Sequence, residues 1–179
     1  MTATADGAVL LANVHVGGIP RSTDGGVTWQ ATIDIDSDVH EVCAHPVCSN
    51  IVIAAAAIGL CISRDGGATW SVESQGLHAS YCSAVAFSGD EILVAASTEH
   101  FASEGAIYRR PIDGKSPLRL INGLPKWLEG IVDTRCITTR GPEVAIADKA
   151  GNLYVSADAG HSWLRRDSGI PATSSVLLI

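Results

Sequence analysis

Charge is scarce in this 179-residue sequence: 17% of residues are Asp, Glu, Lys or Arg, where an average globular chain has about 25%. With 46% apolar residues, disorder is excluded as the main state. The 12 Lys+Arg stand against 19 Asp+Glu, a net charge of −7, and no basic run occurs. That removes the electrostatic footprint of phosphate-backbone binding, so nucleic acid is not expected as a partner. No apolar run is long enough to span a bilayer; Ala8 to Val16 is too short and no basic residue precedes it. Neither a membrane partner nor an export signal is expected. Helical periodicity is also missing, which leaves at most a helical turn near Lys126 to Gly130 or Phe101 to Glu104. Cysteines are few and odd in number: Cys43, Cys48, Cys61, Cys82 and Cys136 sit inside apolar stretches. They read as reduced thiols packed in a core, which makes the cytoplasm the expected location. The length implies one domain.

What the sequence does have is a repeat. Ser22-Thr-Asp-Gly-Gly-Val-Thr-Trp29 returns as Ser63-Arg-Asp-Gly-Gly-Ala-Thr-Trp70 and, altered, as Ser156-Ala-Asp-Ala-Gly-His-Ser-Trp163. A worn copy stands at Ile112-Asp113-Gly114, with Pro117 and Leu118 following and no tryptophan. The spacing between copies matches one four-stranded propeller blade, about 40–50 residues. A second marker trails the boxes: Gly76-Leu77, Gly123-Leu124-Pro125 and Gly169-Ile170-Pro171. Short apolar runs such as Ile51 to Ala57, Ile92 to Ala96 and Val144 to Ala147 lie between Gly, Pro, Asn and Asp punctuation and read as strands. The fold class is all-β. Each box aspartate can accept bonds from its own turn, and Gly26, Gly67 and Gly160 can supply positive φ. A lone carboxylate followed by glycines does not offer the converging oxygens that calcium needs.

Ser-x-Asp-x-Gly-x-Thr-Trp resembles the Asp-box, or BNR repeat, of sialidase-like and sortilin-like β-propellers and of unassigned bacterial BNR-repeat proteins. The resemblance implies that each box is the hairpin between the third and fourth strands of a blade. Asp24, Asp65 and Asp158 are then turn braces, and Trp29, Trp70 and Trp163 are wedges between blades. The expected domain is residues 1–179, with blades at about 5–35, 36–75, 78–122 and 130–168 and a C-terminal strand at 175–179. Blade one opens almost directly on the strand Ala8 to Asn13, so the C-terminal strand is expected to fill a vacant innermost position and latch the ring. Membership of a larger ring, or self-association of two copies into one, stays open beside this.

Propeller topology puts the blade-to-blade links on one face and the boxes on the other. Asp38, His40, His78, Tyr81, Trp127, Glu129 and Asp133 lie in or beside those links, and Asn13, His15, Glu99, His100, Asp148 and Lys149 near the other loops of that face. The candidate ligand-binding residues are Asp38, His40, His78, Tyr81, His100 and Asp133; Asp38, His40, Tyr81 and Asp133 open innermost strands and should point at the axis. Sialidase chemistry wants an arginine cluster, a tyrosine activated by a glutamate and an aspartic acid donor. Only Arg109, Arg110 and Arg135 could reach the mouth, and Tyr81, Glu99 and Asp133 could stand as nucleophile, base and acid. Cys43-Ala-His45-Pro-Val-Cys48 has zinc-type ligands but lacks a fourth and lies away from this face. His15, His40, His78 and His100 with Asp38, Asp133 or Glu99 form the better metal set. The reading adopted is a non-catalytic module that binds a small-molecule or protein ligand at the channel mouth, with no cofactor and no metal. The alternative is a sialidase-like glycoside hydrolase or a metal-assisted hydrolase on the same face.

Overall fold

Each intact box closes its own bonds before it packs on anything. At the second box, Asp65 Oδ1 accepts the Ser63 hydroxyl at 2.8 Å and the Thr69 N–H at 2.9 Å, while Oδ2 accepts the Thr69 hydroxyl at 2.6 Å. Ser63 Oγ in turn accepts the Gly67 N–H at 2.7 Å. The same set recurs around Asp24 and Asp158. The hydroxyl and N–H of Thr28 and the hydroxyl of Ser22 hold the Asp24 carboxyl down to about 2. At Asp65 desolvation pushes upward, but the Thr69 and Ser63 donors outweigh it and bring the carboxyl to about 2. Two successive residues with positive φ turn the chain: Gly25 and Gly26 at 73° and 92°, Gly66 and Gly67 at 68° and 82°. In the third box Ala159 takes the first of these places at 59°.

The structure is a computed structural model describing residues 1–167 and 169–179; Ser168, within the expected fourth blade, lies outside the described residues. The described residues form antiparallel sheets and no helix. Blade 1 is β1 (Thr2–Ala3), β2 (Leu10–Leu11), β3 (Pro20–Ser22) and β4 (Gln30–Ala31); blade 2 is β5 (Val39–Ala44), β6 (Val52–Ala56), β7 (Gly59–Ser63) and β8 (Ser71–Glu73). Blade 3 is β9 (Tyr81–Ser88), β10 (Glu91–Ser97), β11 (Glu104–Pro111) and β12 (Arg119–Leu120), with β13 (Leu128–Glu129) paired to β11. Blade 4 is β14 (Ile137–Arg140), β15 (Glu143–Ala147), β16 (Leu153–Ser156) and β17 (Leu164–Asp167). The apolar runs of β6 and β7 are buried along their whole length because blades cover both faces of their sheet.

Three apolar seams join successive blades. Leu11 and Ile19 of blade 1 pack with Val39, Val52 and Cys61 of blade 2; Ile53 and Leu60 pack with Val85 and Tyr108 of blade 3; Leu93 and Ile107 pack with Ile137, Ile146 and Tyr154 of blade 4. In blades 2, 3 and 4 the residue five after the box aspartate enters the seam with the preceding blade. Trp70 packs on the first seam, Leu118 of the worn box is buried in the second, and Trp163 packs on the third. Trp29, with blade 1 as its own, is 41% exposed. An arginine fastens each seam to the next box: Arg21 Nε donates to Gly66 O at 2.9 Å, Arg64 Nη2 to Ile112 O at 2.8 Å and Arg109 Nη1 to Gly160 O at 3.0 Å.

The expected latch is corrected. The innermost position of blade 1 is held by Thr2–Ala3, which pairs with Leu10–Leu11, and residues 175–179 form no strand. The tail stays with the last blade instead: the Val176 N–H bonds Arg135 O at 2.9 Å and Cys136 Sγ lies 3.2 Å from Thr173 O. A two-residue strand carries too little periodicity to announce itself, which left the position looking vacant.

Candidate functional site

All four blades contribute to one cavity of about 480 Å³ at the axial mouth, lined by Asn13, His15, Asp38, Val39, His40, Tyr81, His100, Asp133 and Thr134. Two local devices build it. Residues 14–18 fold back so that the Val14 N–H bonds Gly18 O at 3.0 Å. A Cβ on Gly17 would lie 2.6 Å from Val14 Cγ1, and one on Gly18 2.9 Å from Ile33 O, so the turn needs both glycines. It sets Val16 antiparallel to Asp38 and His15 O within 3.3 Å of the Val39 N–H, which brings the His15 ring over Asp38. The second device is a β-bulge. On β5, Val39 pairs with Ala56 but Glu41 pairs with Ala55, leaving His40 as the extra residue. Bulges re-aim a side chain at the end of a ladder, and here the imidazole turns to the axis.

His40 is held from several sides. Its Nδ1 lies 2.7 Å from Cys82 O on β9, and its own carbonyl accepts Asn13 Nδ2 at 2.8 Å and Thr134 Oγ1 at 3.5 Å. Its Nε2 lies 3.2 Å from Asp38 Oδ1, and His15 Nδ1 lies 2.9 Å from the same oxygen. Those are ion-pair distances without hydrogen-bond geometry: His40 Nε2 and Asp38 Oδ1 are both buried and, among the described residues, neither makes a hydrogen bond. The Tyr81 ring stands 4.7 Å from the His40 ring at 45°. Burial, then the charges of Asp38 and Asp133, push its phenol upward. Asp133 Oδ1 accepts the Thr134 N–H at 2.8 Å, and the His100 ring meets Phe101 edge-on at 4.6 Å.

Five of the six sequence candidates thus share one cavity, and His78 does not. Its Nδ1 lies 2.8 Å from the Tyr108 hydroxyl and its ring packs 4.7 Å from Trp127, itself set against the second seam. Thr134 and Glu41 were not singled out by the sequence, although each directly follows a residue that was. Glu41 Oε2 accepts the Val85 N–H at 3.1 Å and the Arg135 N–H at 3.3 Å. Burial pushes this carboxyl upward against the pull of those two donors.

Of the three arginines expected near the mouth, Arg135 lines a neighbouring cavity with Asn13, His40 and Thr134, and the other two are corrected. Arg109 is bound to the fourth blade's box and ion-paired with Glu91, and Arg110 is buried in a pair with Glu73. Both point into seams, because alternate residues of β11 face opposite neighbours. The cysteine-bearing hairpin holds no metal-ready set either: His45 Nδ1 accepts the Val47 and Cys48 N–H groups, and burial raises the Cys43 thiol to about 12. All five cysteines are free.

Turns, blades and seams together define an Asp-box β-propeller unit. The chain carries the BNR/Asp-box repeat, whose family model matches residues 21–31. No curated protein sequence matches it. Among solved structures it is similar to an ancestral GH74 enzyme, with TM-score 0.68 and 20% identity over 88% of this chain and 22% of that one. The GH74 xyloglucanase from Xanthomonas campestris gives TM-score 0.65 and 16% identity over 91% and 29%. YCF48 from Cyanidioschyzon merolae gives TM-score 0.53 and 21% identity over 90% and 41%. The chain spans under a third of the GH74 structures and under half of YCF48.

Proposed function

We propose that the chain is a non-catalytic binding module that takes a polar ligand, neutral or cationic, at the axial mouth. The observation carrying this reading is the composition of the cavity wall. Two carboxylates, Asp38 and Asp133, line it with three histidines, Tyr81, Asn13 and Thr134, and no Lys or Arg among the described residues does. A wall that converges acceptors and imidazoles without a fixed cation suits hydroxyls, amines or guanidinium groups and opposes a carboxylate ligand. Sialidase-like hydrolysis is disfavoured on the same ground, since Arg109 and Arg110 are spent on seams, Arg135 borders the neighbouring cavity and not this one, and the Tyr81 phenol is shifted away from ionisation. The exposed Trp29 supports a further reading of assembly, in which this unit is one arc of a larger ring, as its short coverage of the GH74 and YCF48 propellers also allows.

The test is a thermal-shift and calorimetric screen of neutral oligosaccharides, basic peptides and sialic acid, repeated with His40→Ala and Asp133→Ala. Binding of a neutral or basic member, lost in both variants while the fold is kept, is the expected result. Turnover of an aryl glycoside that disappears in the same variants would overturn the non-catalytic reading, and binding of sialic acid alone would overturn the charge argument.

A further inference from the structure

We infer that His15, Asp38 and His40 form a binding site for a divalent first-row transition metal ion, zinc being the representative case. The inference rests on the reading of the axial cavity as the binding site and says what its floor holds. The Cys82 carbonyl can only accept, so the 2.7 Å contact requires His40 Nδ1 to carry the proton. In the neutral ring Nε2 is then a bare lone pair. That lone pair faces Asp38 Oδ1 at 3.2 Å, an acceptor facing an acceptor. The His40 side chain is only 9% exposed, and among the described residues neither Nε2 nor Oδ1 has a hydrogen-bond partner. Leaving two buried acceptors together and unsatisfied costs on the order of a few kcal/mol, which a cation between them removes.

The donor set and its spacing fit such an ion. One ligand atom from each of His15, Asp38 and His40 lies within 4.8 Å of the others. Tetrahedral zinc at about 2.0–2.1 Å from each donor places its ligands about 3.3–3.5 Å apart, so rotation of the exposed His15 ring suffices to complete the set. Two imidazoles and a carboxylate favour zinc, cobalt, nickel or copper over magnesium or calcium, which prefer all-oxygen shells. The His40 Nδ1–H bond to a backbone carbonyl is the outer-shell contact that fixes the tautomer of a ligating histidine. Three protein ligands leave a fourth position, and the cavity lies above it. A neutral or cationic ligand would there meet either the ion or the carboxylate of Asp133. Without an ion, the contact is satisfied by a proton shared between His40 Nε2 and Asp38 Oδ1; the two cases differ in what the experiment reads.

Chelator-treated protein titrated with Zn²⁺ by calorimetry, and with Co²⁺ by visible absorption, separates them. One equivalent of ion is expected, with the ligand-field bands of low-symmetry, low-coordinate Co²⁺. His15→Ala, Asp38→Asn and His40→Ala should each weaken binding by at least about 10–100-fold, the loss that even outer-shell changes cause, while His78→Ala leaves it unchanged. His15 lies at the surface with a side chain 77% exposed, so its variant folds even where His40→Ala does not. Absence of stoichiometric binding, or binding indifferent to His15→Ala and Asp38→Asn, would overturn the site. Ligand binding by the chelated protein with no metal uptake would sink this inference alone and leave the binding-module reading standing.

Discussion

Blades 1 and 2 carry the same turn and put it to different use. Trp70 reaches out of blade 2, donates its indole N–H to Thr32 Oγ1 at 3.0 Å and packs on the first seam. Trp29 folds back, donates to Gly26 O of its own turn at 3.0 Å and stays 41% exposed. The hydrogen bond is not what separates them, since Trp163 donates to Gly160 O at 3.1 Å and still packs on the third seam. What differs is the presence of a blade on the N-terminal side. The Asp-box is therefore a locally complete turn, and its indole becomes structural only when a neighbouring blade meets it. Leu118 sharpens the point: with the tryptophan gone, an aliphatic side chain five residues after Asp113 fills the second seam at 2% exposure.

The largest expected effect tests that difference directly. Trp70→Ala should cost about 3 kcal/mol, the lower end for a tryptophan truncated in a core, whereas Trp29→Ala should cost less than about 1 kcal/mol. Urea unfolding of the two variants measures both. Equal losses would mean that the blade 1 face is covered in solution, and light scattering would then show a mass above that of one chain.

A second pair of variants isolates the seam from the turn. Gly26 and Gly67 occupy the same place in their boxes at φ of 92° and 82°, so alanine at either should add about 1–2 kcal/mol of left-handed strain. Only at Gly67 would the new Cβ press into the seam, 2.3 Å from Leu11 Cδ2, against 3.6 Å to Leu10 Cδ1 at Gly26. Overpacking should make Gly67→Ala worse than Gly26→Ala by about 1–3 kcal/mol. Adding Leu11→Val should recover part of that difference in the same unfolding assay; no recovery would place the cost in the turn.

Much of this could be read from residue order. The boxes announced the hairpins because their bonds are local, and the four-blade count followed from their spacing. Asp38, His40, Tyr81 and Asp133 could be placed at the mouth because the first residues of innermost strands must converge on the axis. What stayed hidden depends on contacts between distant segments. The His15 approach to Asp38 needs the Gly17–Gly18 turn, the bulge behind the expected aim of His40 needs the ladder with β6, and the placement of the tail needs Arg135 and Cys136. His78 was placed in the blade-to-blade links with His40 but not at the start of an innermost strand, and the Tyr108 hydroxyl bonds its ring away from the cavity.

The third box offers a smaller effect. Ala159 adopts the left-handed φ of 59° that glycine takes at the matching positions of boxes one and two. Ala159→Gly should stabilise the protein by up to about 1 kcal/mol, the relief of strain exceeding the entropy added to the unfolded chain. A melting temperature unchanged or lowered would show that the third turn is constrained by its seam, where Arg109 and Ser88 both contact the Ala159 carbonyl.

The smallest expected difference lies in acid. The Asp24 and Asp65 carboxyls are both held at about 2 in the fold, against an ordinary value of 3.8. A depressed carboxyl lends stability that is complete above the unfolded value and disappears as pH falls toward the folded one. Both turns should therefore weaken together between about pH 4 and pH 2. Glu41 runs the other way, because a carboxyl raised by burial favours the fold at low pH and withdraws that support as pH climbs past its ordinary value. Carboxyl carbon shifts followed by NMR should show Asp24 and Asp65 titrating alike despite their different surroundings, with Glu41 well above both. An Asp24 midpoint near the ordinary value beside a low Asp65 would mean that the seam, and not the turn alone, sets the box carboxylate, and the local completeness of the motif would fall with it.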